Sequence, residues 1–363
     1  MPLQLPDFPW DELGPARQKA TAHPEGLIDL SVGSPVDPTP EVAQKALASA
    51  ANSPGYPTAF GSASTRGAMS QWWREVRGAS SVDAESVMPT VGSKEMVGLL
   101  PLLLGLGRGD TIVIPEIAYP TYDVGAQLVG ATVVAEDDPS EWPDSAKLVW
   151  LNSPSNPTGA VLGVEHLRAA VSRAREIGAV LVSDECYALL GSAQTPQSPS
   201  LLTDEVTQGK LDGLLALYSL SKQSNLAGYR AAMVAGDPAL IQAILLPRRH
   251  LGLIVPEPIQ HVLAAVLSDA KSVTTMRETY QRRRAMLHEA LSSAGWSIDG
   301  GDAGLYLWAS KGSNSSEAVD WFATRGILVA PGHFYGPGGS QHVRVALTAS
   351  DEDISHAAQR IGS

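Results

Sequence analysis

The sequence predicts an α/β protein: a large unit with a mainly parallel sheet flanked by helices, and a smaller α+β unit. Two observations predict it. Up to about residue 250, short apolar, β-branched runs alternate with helix-like stretches. Beyond that point the alternation gives way to two long helix-like segments and a few strand runs separated by one helix. Strict alternation argues parallel strands joined by helical crossovers, and the later pattern argues a separate α+β layer.

The elements follow in order. "ESVMPTV" (85–91), "TIVIP" (111–115), "ATVVA" (131–135), "KLVWLN" (147–152), "AVLVSDE" (179–185), "LLALYS" (214–219) and "AAMVAG" (231–236) read as buried strands. "VEHLRAAVSRAREIG" (164–178) has helical periodicity and ends on Gly178, a residue suited to the left-handed position after a helix. Helices are expected over 258–270 and 273–295. Strands are expected at 304–310, 327–331 and 342–348, with a helix at 317–326. The large unit is expected over 39–250, and the small one over 1–38 and 251–363. "GSAQTPQSPSLLTDE" (191–205) reads as a surface loop.

Composition excludes several classes of function. With 44% hydrophobic and 18% charged residues, the chain is a folder and not a disordered segment. Its net charge of −12 argues against sequence-independent nucleic-acid binding, which needs clustered cations. The basic runs "PRRH" (247–250) and "QRRRAML" (281–287) read as solvated helix faces. A single cysteine, Cys186, allows no internal disulfide and suits a reducing compartment. The start lacks a basic, apolar leader pattern and no run of about 18 apolar residues occurs, so a cytoplasmic protein without membrane spans is expected. "GLGRGD" (105–110) precedes a strand and lacks dinucleotide-loop spacing. The eight histidines are scattered, and there is no G-x-S-x-G.

In open parallel sheets, ligands bind beyond the carboxyl ends of the strands. Five strand ends here carry chemistry. Gly92, Ser93 and Lys94 open a helix; Tyr119 follows the second run; Asn156 follows the fourth; Asp184 and Tyr187 follow the fifth; Ser219, Ser221 and Lys222 follow the sixth. A helix N-terminus with serines and an arginine suits a phosphate. An aromatic face suits a flat heterocycle, a carboxylate suits a protonated ring nitrogen, and a lysine suits an aldehyde. Pyridoxal 5′-phosphate needs that whole set.

The chain resembles the class I/II aminotransferases, which are fold-type I pyridoxal-phosphate enzymes. The resemblance rests on "LSVGSP" (30–35), "VGSKE" (91–95), "PEIAYPTY" (115–122), "NSPSNPTG" (152–159), "SDECY" (183–187), "SLSKQSNLAGYR" (219–230) and "PGHFYGPGGSQHVRVAL" (331–347). Within that family it is most similar to the actinobacterial N-succinyldiaminopimelate aminotransferases. The resemblance implies that Lys222 holds the cofactor as an imine and shuttles the proton. Asp184 pairs with the ring nitrogen, while alternation sends its rival Glu185 to the opposite face. Tyr187 and Asn156 meet the ring hydroxyl, and Tyr119 stacks on the ring. Ser93, Lys94, Ser219, Ser221 and Arg230 cradle the phosphate, joined by Tyr56 from a second subunit of a homodimer. Arg344 clamps the substrate carboxylate with Gly33 and Asn156. Arg248, Arg249 and His250 are candidates for further carboxylates. The expected partners are small amino and keto acids. A C–S β-lyase on the same fold, with the same cofactor, is the alternative.

Overall fold

In the computed structural model, residues 5–192, 194–195 and 197–363 are described. Residues 1–4 of the expected small unit and residues 193 and 196 of the Ser/Pro-rich loop lie outside them. After a short strand β1 (Ile28–Asp29), the chain lays down β2 (Val87–Val91), β3 (Thr111–Ile114), β4 (Thr132–Ala135), β5 (Ala146–Asn152), β6 (Val180–Asp184), β7 (Leu214–Ser219) and β8 (Ala231–Gly236). The last seven form one sheet in the order β2-β8-β7-β6-β5-β3-β4. Its middle strands are buried on both faces, which is why they read as continuous apolar runs. Helices Ala63–Glu75, Val164–Ile177 and Glu257–Val266 cover one face; Ser93–Leu103, Thr121–Val129 and Pro238–Leu251 cover the other.

One strand departs from the parallel pattern. β8 runs antiparallel to both β7 and β2. Only residues 220–230 join β7 to β8, too few for a helical crossover, so the chain turns back. This tight return places Lys222 and Arg230 at one end of the sheet. Pro89 lies in β2, an edge strand, where a missing N–H is tolerated.

A second sheet has the order β12-β13-β10-β9, from β9 (Ser297–Asp299), β10 (Tyr306–Ser310), β12 (Ala330–Pro331) and β13 (His342–Ala346), all antiparallel. The N-terminal strand β1 pairs with β11 (Ile327–Leu328), so chain start and C-terminal third share a layer. Helices Ala270–Ser293, Ser315–Ala323 and Asp351–Gly362 pack on this layer.

Three expectations need correcting. The change in packing falls later than residue 250. Helix Glu257–Val266 seats Val262 and Leu263 in the large-sheet core, whereas Met276, Tyr280 and Leu287 of the long helix belong to the second core. The basic runs are solvated only in part: Arg249, His250 and Arg282 are exposed, but one arginine of each run is not. Arg248 is fully buried against Glu95, and Arg283 is buried between Asp37 and Asp351. Apolar neighbours at i±3 and i±4 help carry each arginine inward, and carboxylate and carbonyl partners make that tolerable. The far end of the 191–205 loop is also interior: Ser198, Ser200, Leu201 and Leu202 are buried. Its polar atoms serve a buried ion pair, Arg77–Glu185 at 2.8 Å, with Glu185 also accepting from the Ser200 hydroxyl and the Leu201 amide.

Candidate active site

A cavity of about 1520 Å³ opens beyond the carboxyl ends of β3, β5, β6 and β7, roofed by residues of the second sheet and by the segment 5–12. Twelve of the thirteen expected residues line it: Gly33, Ser93, Lys94, Tyr119, Asn156, Asp184, Tyr187, Ser219, Ser221, Lys222, Arg230 and Arg344. Tyr56 does not; its side chain stands fully exposed on the single chain.

The first feature is an anion cradle. Helix Ser93–Leu103 starts after Gly92, whose φ of +73° is open to glycine at little cost. Glu95 accepts from the Val91 amide at 3.2 Å, capping the turn, and Arg248 fixes Glu95 from behind. The free amides of the first turn therefore face the cavity. Ser219 and Ser221 stand opposite, linked at 2.8 Å between hydroxyls. Arg230, itself at φ +57°, folds its guanidinium over Gly92, where an added Cβ would lie 2.0 Å from Nη2. The backbone has left that space to the guanidinium. Gly92→Ala is accordingly expected to weaken pyridoxal phosphate binding by at least about tenfold, measured by titrating the cofactor-free protein. Unchanged affinity would refute the cradle.

The second feature is a buried acid. Asp184 ends β6 with its carboxylate 7% exposed; Oδ2 accepts from the Tyr122 hydroxyl at 3.0 Å and Oδ1 from the Cys186 amide at 3.1 Å. Burial raises its pKa, and these hydrogen bonds oppose the rise. Glu185 faces the other side of the sheet, as the alternation of the strand requires. Tyr119 leans edge-on against Tyr122, and burial pushes its phenol up to about 12. Lys222 follows β7 and donates to the Gly33 carbonyl. Its pKa is lowered, first by burial and then by Arg344 and Arg230, against the opposing pull of Tyr306 and Cys186.

The third feature is an unpaired cation. Arg344 is 3% exposed and lies on β13 facing the cavity. It donates to Asn156 Oδ1 at 2.9 Å and to the Ser31 carbonyl at 2.7 Å, yet its buried Nε has no partner. Burial works against its charge, but the phenols of Tyr335, Tyr306, Tyr187 and Tyr119 around it raise its pKa overall. Asn156 is itself anchored, its amide donating to Asn152 Oδ1 at 2.7 Å. A buried guanidinium with no carboxylate partner among the described residues is a receptor for one.

Arg248 is not a ligand residue: it is spent on Glu95. Arg249 and His250 are not among the cavity's lining residues. Several lining residues had no place in the sequence reading. Tyr122 sits three residues after Tyr119, a helical spacing that could have flagged it. Tyr306 occupies an alternating position of β10, and Phe8, Trp10 and Phe334 form an aromatic wall. Among the described residues no cluster of His, Cys, Asp and Glu could hold a metal ion, and no helix is long and apolar enough to cross a membrane.

A buried lysine, a buried carboxylate and an anion cradle at the strand ends of this α/β sheet fit a pyridine-aldehyde phosphate. The family model for aminotransferase class I and II matches residues 25–361, and the chain belongs to that family; its cofactor is pyridoxal 5′-phosphate. The chain is 50% identical to a probable aminotransferase of Mycobacterium tuberculosis, over 98% of this chain and 85% of that one. It is 49% identical to the 4-dedimethylamino-4-oxo-anhydrotetracycline transaminase of Streptomyces rimosus, over 99% of each. An LL-diaminopimelate aminotransferase of Aquifex aeolicus is 30% identical over 98% of this chain and 96% of its own. Among solved structures, an aminotransferase from Neisseria meningitidis superposes with a TM-score of 0.89 at 28% identity, covering 99% and 97% of the two chains.

Proposed function

We propose that this aminotransferase moves an amino group from glutamate to N-succinyl-2-amino-6-ketopimelate, as a homodimer whose subunits share active sites. One observation carries the reading. In a chain of net charge −12, four cations lining the cavity have no carboxylate partner among the described residues: Lys94, Lys222, Arg230 and Arg344. Three are accounted for by the cofactor's aldehyde, its phosphate and the substrate α-carboxylate. Lys94 is left over. Its ammonium is exposed and lies 5.4 Å from the Phe8 ring centroid. A long substrate with carboxylates at its far end supplies the missing anion, and the cavity has room for it. The similarity to a diaminopimelate aminotransferase supports the same class.

The chain's own residues divide the work. When bound, pyridoxal phosphate supplies the aldehyde that takes up amines and the ring that accepts the electron pair left at Cα. The helix amides at Ser93 and Lys94, with Ser219, Ser221 and Arg230, hold the phosphate. Asp184 keeps a proton on the ring nitrogen, Tyr119 covers one ring face, and Tyr187 and Asn156 hydrogen-bond the ring hydroxyl. Arg344 fixes the α-carboxylate, with Gly33 beside it, which orients the Cα–H bond toward Lys222. Lys222, whose neutral form burial favours, moves the proton at its Nζ. Tyr56, fully exposed on one chain, reaches the phosphate of the partner's site. The second layer, with residues up to 38, closes over the substrate.

A panel of keto acids with glutamate as donor tests the acceptor. The succinylated acid is expected to exceed pyruvate and oxaloacetate by at least about tenfold in kcat/KM, and parity would overturn the assignment. Lys94→Ala leaves the backbone amide in place. It is expected to cost about tenfold in kcat/KM for the succinylated acid, one lost charged hydrogen bond, and to leave pyruvate unaffected. The aromatic wall of Phe8, Trp10 and Phe334, with the likeness to a transaminase named for a tetracycline ketone, supports a second reading: a bulky ring ketone as acceptor. Turnover of a polycyclic ketone above that of the succinylated acid would favour it.

A further inference from the structure

Tyr306 touches three parts of the site. It lies on β10, 3% exposed, in register with Ala346 of the neighbouring strand β13. Its ring faces the Arg344 guanidinium, whose carbon is 3.9 Å from the ring centroid. Its hydroxyl is 3.4 Å from that of Tyr187, and the two rings meet edge to face at 5.9 Å. The same hydroxyl presses on Gly33: a Cβ there would lie 2.1 Å away, so only glycine fits. The Gly33 carbonyl, in turn, accepts from Lys222. The carboxylate clamp, the ring-hydroxyl partner and the lysine thus converge on one side chain.

We propose that Tyr306 is a positioning residue of the reaction: its ring holds Arg344 in place, and its hydroxyl tunes Tyr187, so that carboxylate binding is felt at the bond between Lys222 and the cofactor. The proposal rests on the roles given above to Arg344, Tyr187 and Lys222. The physical basis is twofold. A buried guanidinium whose Nε has no hydrogen-bond partner is steadied by the negative face of an aromatic ring. And the Tyr306 hydroxyl shares a hydrogen bond with that of Tyr187, so it alters Tyr187's bond to the ring hydroxyl oxygen, because chained hydrogen bonds polarise one another.

Burial opposes the ionisation of Tyr306, but Arg344, Lys222 and the hydrogen bond with Tyr187 bring its pKa below the usual phenol range. The other titratable neighbours are phenols: Tyr187, Tyr119, Tyr280 and Tyr335. Arg284 binds the Tyr306 carbonyl at 2.9 Å, holding the backbone and not the hydroxyl. A carboxylate arriving at Arg344 cancels the nearest positive charge on Tyr306, and the change passes through the shared hydrogen bond to Tyr187.

The test uses the cofactor-loaded protein without turnover. The pH midpoint of its visible absorbance is measured for wild type, Tyr306→Phe, Tyr187→Phe and the double variant. Affinity for glutarate, a non-reacting dicarboxylate, is measured for Tyr306→Phe and Tyr306→Leu. Loss of the hydroxyl is expected to shift the midpoint by roughly half a pH unit or more, and the double variant is expected to match Tyr187→Phe alone. Glutarate affinity is expected to stay within about threefold in Tyr306→Phe and to fall by about tenfold in Tyr306→Leu, where the ring is gone. A midpoint unchanged in Tyr306→Phe, or full additivity in the double variant, would overturn the hydroxyl's role. Equal glutarate affinity in the Phe and Leu variants would overturn the ring's. A wild-type protein with no visible band on loading would instead remove the underlying cofactor roles, and the proposal with them.

Discussion

Lys222→Ala is expected to lower turnover by at least about 10⁴-fold while the protein still folds. In the proposed mechanism the variant loses two functions at once: the amine that takes up the cofactor aldehyde and the base that moves the substrate proton. Burial, Arg344 and Arg230 push the Lys222 pKa down, so a larger fraction is neutral near pH 7–8 than for a free lysine. The rate is therefore expected to fall as pH drops through that lowered value. The same shift has a stability consequence. Between the lowered pKa and the unfolded value near 10.5, the unfolded chain binds more protons than the folded one. Stability of the cofactor-free protein should rise with pH across that window, and Lys222→Ala should flatten the slope. Denaturant titrations at several pH values, absorbance of the loaded protein and single-turnover rates check all three. A variant within tenfold of wild-type turnover would refute the assigned lysine.

How much of this could be read in the sequence depends on whether one residue or one arrangement carries the signal. The strands β3 and β5 to β8 are buried on both faces, so their apolar runs were plain, whereas β4, expected to be buried, lies at the sheet edge and is partly exposed. Lys222, Asp184 and Arg344 each stand at or beside a strand end, where local pattern and topology together place them. The direction of β8 was not legible as a run of residues, because it depends on the length of the return from β7. Arg248 and Arg283 read as solvated since their burial depends on Glu95 and Asp37, which are distant in sequence. Glu185 could be sent away from the site by alternation, but its partner Arg77 lies 108 residues earlier. Tyr306 has no motif of its own; only the pairing of β10 with β13 brings its ring to Arg344. Lys94 was legible as a backbone contributor, and its ammonium stands out only once the other cations lining the cavity are assigned to the cofactor and the α-carboxylate.

Asp184→Asn and Glu185→Gln, adjacent changes on opposite faces of one strand, are expected to fail in different ways. Asp184 faces the cavity, where an amide cannot hold a proton on the ring nitrogen by charge. Turnover is expected to fall by about 10³-fold, equivalent to about 4 kcal/mol of barrier. Stability should hold, because burial has already raised the carboxyl's pKa and an amide removes that desolvation cost. Tyr122 can still donate to the amide oxygen, so the local geometry has a partner. Glu185 faces the large-sheet core, 0% exposed, and answers Arg77 together with Ser200 and the Leu201 amide. Its replacement leaves a buried guanidinium without its counter-charge, a loss of about 3–5 kcal/mol of folding stability. Whatever protein remains folded should turn over at close to the wild-type rate per active site. Equilibrium unfolding, paired with kcat normalised to bound cofactor, separates the two outcomes. If Asp184→Asn kept its turnover, or Glu185→Gln lost turnover with its stability intact, the facing of this strand would have been assigned the wrong way round.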